Sequence, residues 1–313
     1  MFMDLNTMKL RRPTIMLFLL FFLTFMNTLY AEPNKIQTKE VIVIFEEPLE
    51  NVAKDVVKVY PAVKADLVAT LDWKVDVRPD VILVKDKSTL MKMVGSDIII
   101  AFAIPDRNLI VLDTSRIYTR PFTLEATLKH ELCHILLHSN IKNDRLPRWL
   151  DEGVCQWASG GIAELIADDG DSAITKATIS DSTISIGDLI RFPRDEKSLL
   201  LAYEESKSIV EYIVSEYGKQ GILQILEYLK EGHSIDDSIQ KSLSVSTSEL
   251  EIKWLVYLKR KHTWFSYLSY NIYTILFFLA AVITVYGFIR LLKKKRAYVD
   301  EDEEKGRGGG NTS

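Results

Sequence analysis

Three of the five histidines lie within nine residues, in the stretch KHELCHILLH at 129–138. On a helix, residues four apart lie one turn above each other on the same face, so His130 and His134 would project side by side. With Glu131 they give the spacing H-E-x-x-H, in which two imidazoles bind zinc and the glutamate handles the proton of a metal-bound water. The stretch therefore predicts a helix with a metal site. The alternative is an amphipathic helix whose histidines lie at a solvent-exposed boundary.

A catalytic zinc site typically needs a third protein ligand and keeps its fourth position for water. His138 is nearest in sequence, but it lies eight residues from His130, about 12 Å along a helix axis. That separation does not suit metal bonds of about 2 Å. Glu152 fits better, on a second predicted helix that begins near Pro147 and ends at Gly160 and Gly161.

The elements around these residues indicate an α+β fold, with strands first and helices last. Short β-branched runs predict strands, and apolar residues at helical spacing predict helices. The expected strands are Val41–Phe45, Val81–Val84, Ile98–Phe102 and Leu109–Leu112, the last two joined as a hairpin through Pro105–Asn108. The other expected helices are Leu49–Leu71, Leu199–Tyr217, Ile222–Leu229 and Thr247–Arg260. The polar stretch Gly161–Ser185 is predicted to be a surface loop or an insertion near the site.

Two apolar segments predict a membrane topology. The first, Ile15–Phe25, follows basic residues and precedes a polar change after Ala31, as in a secretory signal. Because Leu29 is not the small residue that cleavage after Ala31 needs, an uncleaved N-terminal anchor stays open. The second, 264–289, has no charged side chain and is followed by the larger basic cluster. We therefore expect residues 1–31 to be a signal peptide or anchor, 32–262 an extracytoplasmic domain, 263–292 a transmembrane helix and 293–313 a cytoplasmic tail.

Composition limits the classes of protein to consider. The 313 residues are 47% hydrophobic and 26% charged, which suits one large domain or two small ones and excludes a disordered chain. The formal net charge of −4 and the lack of interleaved basic and aromatic residues argue against nucleic acid as a partner.

Two motifs in order, HELCH at 130–134 and PRWLDEG at 147–153, resemble the peptidase MA-like family of membrane-associated gluzincin metallopeptidases. The resemblance covers roughly 98–260 and includes IGDL at 186–189, AYEES at 202–206 and YG at 217–218. It implies a zinc site with three protein ligands, His130, His134 and Glu152. It also implies that Glu131 is the general base and then the proton donor.

The resemblance implies three further features. Tyr203 matches a family tyrosine that donates a hydrogen bond to the oxyanion, and the alternative is a tyrosine that only packs. A strand beside the site, Leu109–Leu112 or Ile98–Phe102, could pair with an extended peptide, unless the two form an ordinary interior hairpin. Gln156 stands where thermolysin-like enzymes have an aspartate, and it could orient a histidine without adding charge.

Cys133 and Cys155 each lie inside one of the two motifs. An even number of cysteines in an exported domain permits a disulfide. Cys133 is predicted beside Ala126 and Leu137 on its helix, so packing of a small buried side chain is the simpler interpretation.

The sequence thus predicts a gluzincin-like α+β domain: a small N-terminal sheet and hairpin, a mostly helical C-terminal half and a C-terminal transmembrane helix. We expect a Zn²⁺-dependent metallopeptidase that cleaves protein or peptide substrates through a zinc-activated water. One alternative is a noncatalytic membrane-anchored binding or assembly module, although a purely structural zinc site has no need of Glu131. Another is hydrolysis of a different amide or ester. The oligomeric state stays open.

Overall fold

The computed structural model describes residues 33–95, 99–118, 122–142, 144–161, 173–270 and 272–308, with side chains left undescribed at 262–270 and 292–308. The predicted signal peptide or anchor at 1–31 lies outside these ranges. The chain divides into two compact units, residues 1–258 and 259–313.

A five-stranded mixed sheet opens the first unit. Its strands are β1 (Asn34–Gln37), β2 (Ile42–Phe45), β3 (Asp80–Val84), β4 (Ala101–Ile104) and β5 (Leu109–Asp113), in the spatial order β1-β2-β3-β5-β4. The pairs β2-β3 and β3-β5 are parallel, whereas β1 and β4 add antiparallel edges. The prediction had missed β1. The hairpin is confirmed as β4 and β5, joined by a 3-10 turn at Pro105–Arg107.

The strand order decides which predicted strand can accept a peptide. β5 lies between β3 and β4, so the expectation that Leu109–Leu112 could supply an edge is wrong. β4 is an edge strand, as expected for the Ile98–Phe102 alternative, although it begins at Ala101. Ile98 lies outside the described residues.

Two helices accompany the sheet. Helix α1 (Glu50–Leu71) connects β2 to β3 and buries an apolar face that includes Val56, Tyr60 and Leu67. This agrees with the helical spacing of apolar residues in the sequence. Helix α2 (Lys87–Val94) follows β3 and is capped by Asp86, which accepts a hydrogen bond from the Thr89 amide.

The described remainder of the first unit is mostly helical. The elements are α3 (Leu124–Asn140), α4 (Arg148–Ser159), α5 (Ala173–Ile179), α6 (Glu196–Glu231), α7 (Ile235–Leu243) and the first part of α8 (Thr247–Tyr270). Gly218 interrupts α6 with a non-helical backbone (φ 72°), close to the break predicted between two helices. Helix α5 lies within the stretch predicted to be a surface loop or an insertion, so the loop alternative is wrong for 173–179. Residues 162–172 of the same stretch lie outside the described part of the chain.

The second unit contains the candidate membrane helix. Helix α9 (Ile272–Gly308) begins with a 20-residue stretch, Ile272–Leu291, whose mean hydropathy is 2.3 and of which no part is buried. This stretch is long and apolar enough to cross a membrane.

Candidate metal centre

Helix α3 carries the H-E-x-x-H motif and is buried along most of its length. The Thr123 side chain caps its first turn by accepting a hydrogen bond from the Ala126 amide, 3.1 Å away. The Lys129 ammonium contacts a carboxylate oxygen of Asp66 on α1 at 2.7 Å. Because His130 and Glu131 are both fully buried, the alternative of an amphipathic helix with histidines at an exposed boundary is wrong.

Three of the predicted site residues converge on one point. Nε2 of His130 and Nε2 of His134 are 3.1 Å apart, and Oε2 of Glu152 lies 3.6 Å from the first and 3.5 Å from the second. One ligand atom from each of these residues lies within 4.8 Å of the other two, and all three residues are buried. Two imidazole nitrogens and one carboxylate oxygen are the donor set of a catalytic zinc site with an open fourth position.

Helix α4 carries Glu152 to this point. The next residue, Gly153, has no side chain, and this lets α4 pack closely on α6. A Cβ atom built at Gly153 would overlap the carbonyl oxygen of Ser206 and would meet Cγ2 of Val210 at 2.7 Å. The helix begins after Pro147 and ends at Gly160 in a left-handed conformation, as the sequence predicted.

Asp151 contacts His134, one of the predicted ligands, and the sequence alone did not indicate this contact. Its Oδ1 lies 2.8 Å from Nδ1 of His134, and its Oδ2 lies 3.0 Å from Nε2 of His138. Burial opposes charge on Asp151, but His134 and His138 hold the pKa of this carboxyl well below its usual range. Burial likewise opposes charge on His134, but Asp151 and then Glu152 raise the pKa of this imidazole well above 6.5. The signal in the sequence was a carboxylate directly before the expected ligand.

His138 joins the network through Asp151. Its distance along the helix is too long for it to share a metal with His130, and its Nε2 instead contacts the aspartate. His134, His138 and Asp151 form a second group of metal-ligand type. The short contacts of Asp151 to both rings are those of a carboxylate that bridges two imidazoles.

Arg148 lies one turn before Glu152 on α4, at the more exposed side of the cluster. One Nη of its guanidinium contacts Oε1 of Glu152, and the other lies 3.5 Å from Oδ2 of Asp151. Its charge also lies over the ring of Phe192, 5.8 Å from the centroid. The sequence alone gave no sign of these contacts.

Gln156 does not take the orienting role that the sequence suggested. Its Nε2 donates to the main-chain carbonyl of Tyr203 at 3.1 Å, which joins α4 to α6. Asp151 occupies the position beside the imidazole instead, because it lies on the side of α4 that meets α3.

Tyr203 is 2% exposed and packs edge-on against Phe192, with ring centroids 5.0 Å apart. It belongs to a small apolar cluster that includes Leu90 and Val111. These contacts agree with the packing alternative, and the oxyanion role stays a prediction.

Cys133 and Cys155 form a disulfide between α3 and α4, with their Cα atoms 5.4 Å apart. The preferred interpretation of Cys133 as a small packing residue was wrong. The neighbours of Cys133 on its own helix do not reveal its partner, because Cys155 lies on α4. The close packing of α4 on α3 brings Cys155 opposite Cys133.

Comparison with known families agrees with this geometry. Residues 96–260, more than half of the chain, match the profile of the family described as the peptidase MA superfamily. The chain belongs to the peptidase MA superfamily. The match confirms the family resemblance seen in the sequence, and it contains both helices of the candidate metal centre.

One solved structure shows a distant similarity to this chain. An M1 zinc metallopeptidase from Deinococcus radiodurans, solved as its E323A mutant, aligns with 71% of this chain at 13% identity and a TM-score of 0.39. The alignment spans half of that protein's length. A search of curated proteins gives no match.

Proposed function

We propose that this peptidase MA protein is a membrane-tethered zinc metallopeptidase whose domain, residues 32–262, cleaves proteins or peptides on the extracytoplasmic side. One observation carries the proposal: the ligand atoms of His130, His134 and Glu152 lie within 4.8 Å of one another, and Glu131 is adjacent in sequence on the same helix.

Zinc suits these residues because two imidazoles and one carboxylate leave a coordination position for substrate chemistry. His130, His134 and Glu152 would hold the ion. When bound, zinc supplies a Lewis acid that acidifies a water and polarises a scissile carbonyl. A noncatalytic zinc site usually has four protein ligands, so this donor set favours catalysis over a structural role.

The other residues of the site act on protons and orientation. Glu131 would remove the proton of the attacking water and pass it to the leaving amine, which is general base and then general acid catalysis. Asp151 would fix the tautomer of His134 by accepting from Nδ1, which leaves Nε2 as the metal-binding atom. Tyr203 is proposed to donate to the oxyanion of the tetrahedral intermediate.

The edge strand β4 supports an extended peptide as substrate. The Asp113 amide donates to the Ile100 carbonyl at 2.9 Å, and bonded and non-bonded pairs alternate along an antiparallel ladder. Ile100 and Asp113 form a bonded pair, so Ala101 and Ala103 belong to the non-bonded pairs. The N–H and C=O groups of these two alanines therefore point away from β5. β4 packs beside α3, so a peptide paired with these groups would run past the metal centre.

Two features support an exported, membrane-tethered domain. A disulfide between Cys133 and Cys155 is typical of oxidising compartments outside the cytoplasm. The stretch Ile272–Leu291 is long enough to span a bilayer, and basic residues at 290–296 favour a cytoplasmic tail at 293–313.

Cleavage by the full-length chain in detergent tests the proposal, with β-casein as an unstructured substrate and Glu131→Gln as the variant. We expect the wild-type protein to release peptides and the variant to release none while it still binds zinc. Zinc binding without cleavage of casein or of a mixed peptide library would favour the noncatalytic binding module. Cleavage of ester or non-peptide amide substrates alone would favour a different hydrolase.

A further inference from the structure

We propose that the Cys133–Cys155 disulfide positions the zinc ligands and thereby sets the affinity of the domain for zinc. This inference rests on the proposed function, since it concerns the same three ligands. It goes beyond that function by giving a role in metal binding to a pair of residues that do not touch the metal.

The positions of the two cysteines carry the argument. Cys133 lies three residues after His130 on α3, and Cys155 lies three residues after Glu152 on α4. Residues with this spacing are neighbours on one helix face. Each half of the disulfide is therefore one helical turn from a ligand, and the bond joins the two helices beside the point where their ligands meet.

The disulfide joins the two ligand helices covalently, beside the contacts that Asp151 makes with His134 and His138. His130 and Glu152 are on different helices, and their contact of 3.6 Å depends on how α4 lies against α3. Both cysteines are fully buried, so the disulfide lies inside the packed interface between the two helices and not at the protein surface. A covalent link at this place limits sliding and rotation of α4 relative to α3.

The opposite side of α4 is fixed as well. Gly153 packs directly on the main chain at Ser206 of α6, and Gln156 donates to the carbonyl of Tyr203 on the same helix. Helix α4 is thus held between α6 on one side and the disulfide to α3 on the other. Loss of the disulfide would leave the α3 side held without a covalent bond, by packing and by the contacts of Asp151 with His134 and His138. Glu152 could then shift relative to the two histidines while the rest of the fold persists.

Zinc titration of the full-length protein in detergent, against a chromophoric zinc chelator, tests the proposal. The variants are Cys133→Ala/Cys155→Ala and Cys133→Val/Cys155→Ala, the second to restore buried volume. We expect both to fold, by circular dichroism, and to bind zinc at least ten-fold more weakly than the wild type. Cobalt(II) substitution should show an altered visible spectrum, because the coordination geometry changes.

A matched control separates ligand positioning from general stability. Ile239 is fully buried on α7, away from the ligand helices, so Ile239→Ala should lower the melting temperature and leave zinc affinity within two-fold of the wild type. Wild-type zinc affinity and cobalt spectrum in the folded cysteine variants would overturn the inference. It would also fail if neither cysteine variant folded, because the disulfide would then serve the fold as a whole. A wild-type protein that binds no zinc would instead overturn the proposed function.

Discussion

Oδ1 of Asp151 lies 2.8 Å from Nδ1 of His134, the ring nitrogen opposite the one that meets His130 and Glu152. A carboxylate at this place fixes the orientation of the ring and makes the other nitrogen a better metal ligand. Asp151 directly precedes Glu152, the proposed third ligand, in the sequence.

Asp151→Asn keeps the size of the side chain and removes its charge. We expect zinc affinity to fall by about 10- to 100-fold, because an orienting partner of a ligand histidine contributes to that extent. Chelator competition measures the change. Asp237→Asn, at an exposed acid on α7, is the control and should leave affinity unchanged. An Asp151→Asn protein with wild-type affinity would show that the contact has no role in metal binding.

Gly153→Ala tests the close packing of α4 on α6. The added methyl group would overlap the Ser206 carbonyl, so we expect a loss of about 1–3 kcal/mol in the free energy of unfolding. This loss would occur although alanine favours helix over glycine by about 1 kcal/mol. Chemical denaturation measures it. Gly161→Ala, where an added methyl group meets nothing within 4 Å, should be close to neutral.

Much of the site was predictable because its signals are local. The spacing of His130 and His134 defines one helix face, and PRWLDEG at 147–153 defines the start of the next helix. The role of Asp151 and the disulfide were missed because both depend on how two helices pack, which the period of one helix does not reveal. The strand order, which makes β4 an edge and β5 an interior strand, is equally a property of the assembled sheet.

The buried carboxyl of Glu205 should make the free energy of unfolding depend on pH. It is fully buried and accepts a hydrogen bond from the Ile184 amide at 3.1 Å. Burial raises the pKa of this carboxyl from 4.5 to about 8, opposed by the Ile184 bond and aided by the carboxylates of Glu204 and Glu251. A raised pKa means that the folded state holds the proton more tightly than the unfolded state. The stability from this residue is thus complete below pH 4.5 and is lost as pH rises towards 8.

Glu205→Gln removes that titration and keeps an acceptor for the Ile184 amide. We expect the variant to gain stability relative to the wild type by about 3–5 kcal/mol between pH 4 and pH 9, since each pKa unit corresponds to about 1.4 kcal/mol. Urea unfolding across this range provides the measurement. Glu196→Gln, at an exposed acid in the first turn of α6, is the control. A constant stability difference between Glu205→Gln and the wild type at all pH values would contradict the assignment.

Ala103→Pro tests the pairing of substrate with β4. Proline removes an outward-pointing amide while the ladder to β5 stays intact, so we expect kcat/KM for long peptides to fall by about 5- to 10-fold, the effect of one hydrogen bond. Zinc affinity should not change. Lys35→Pro makes the equivalent change on β1, at the opposite edge of the sheet, and should leave cleavage unaffected. Equal losses in both variants would indicate general damage to the sheet.

The most direct test of the account is the zinc content per chain, measured by mass spectrometry of metals after dialysis, for the wild type, Glu131→Gln and Glu152→Gln. We predict about one equivalent in the wild type and in Glu131→Gln, because the proposed role of Glu131 is proton transfer. We predict much less in Glu152→Gln, because Glu152 is the proposed third ligand. A wild-type protein without zinc, or a Glu152→Gln protein with a full equivalent, would contradict the central claim.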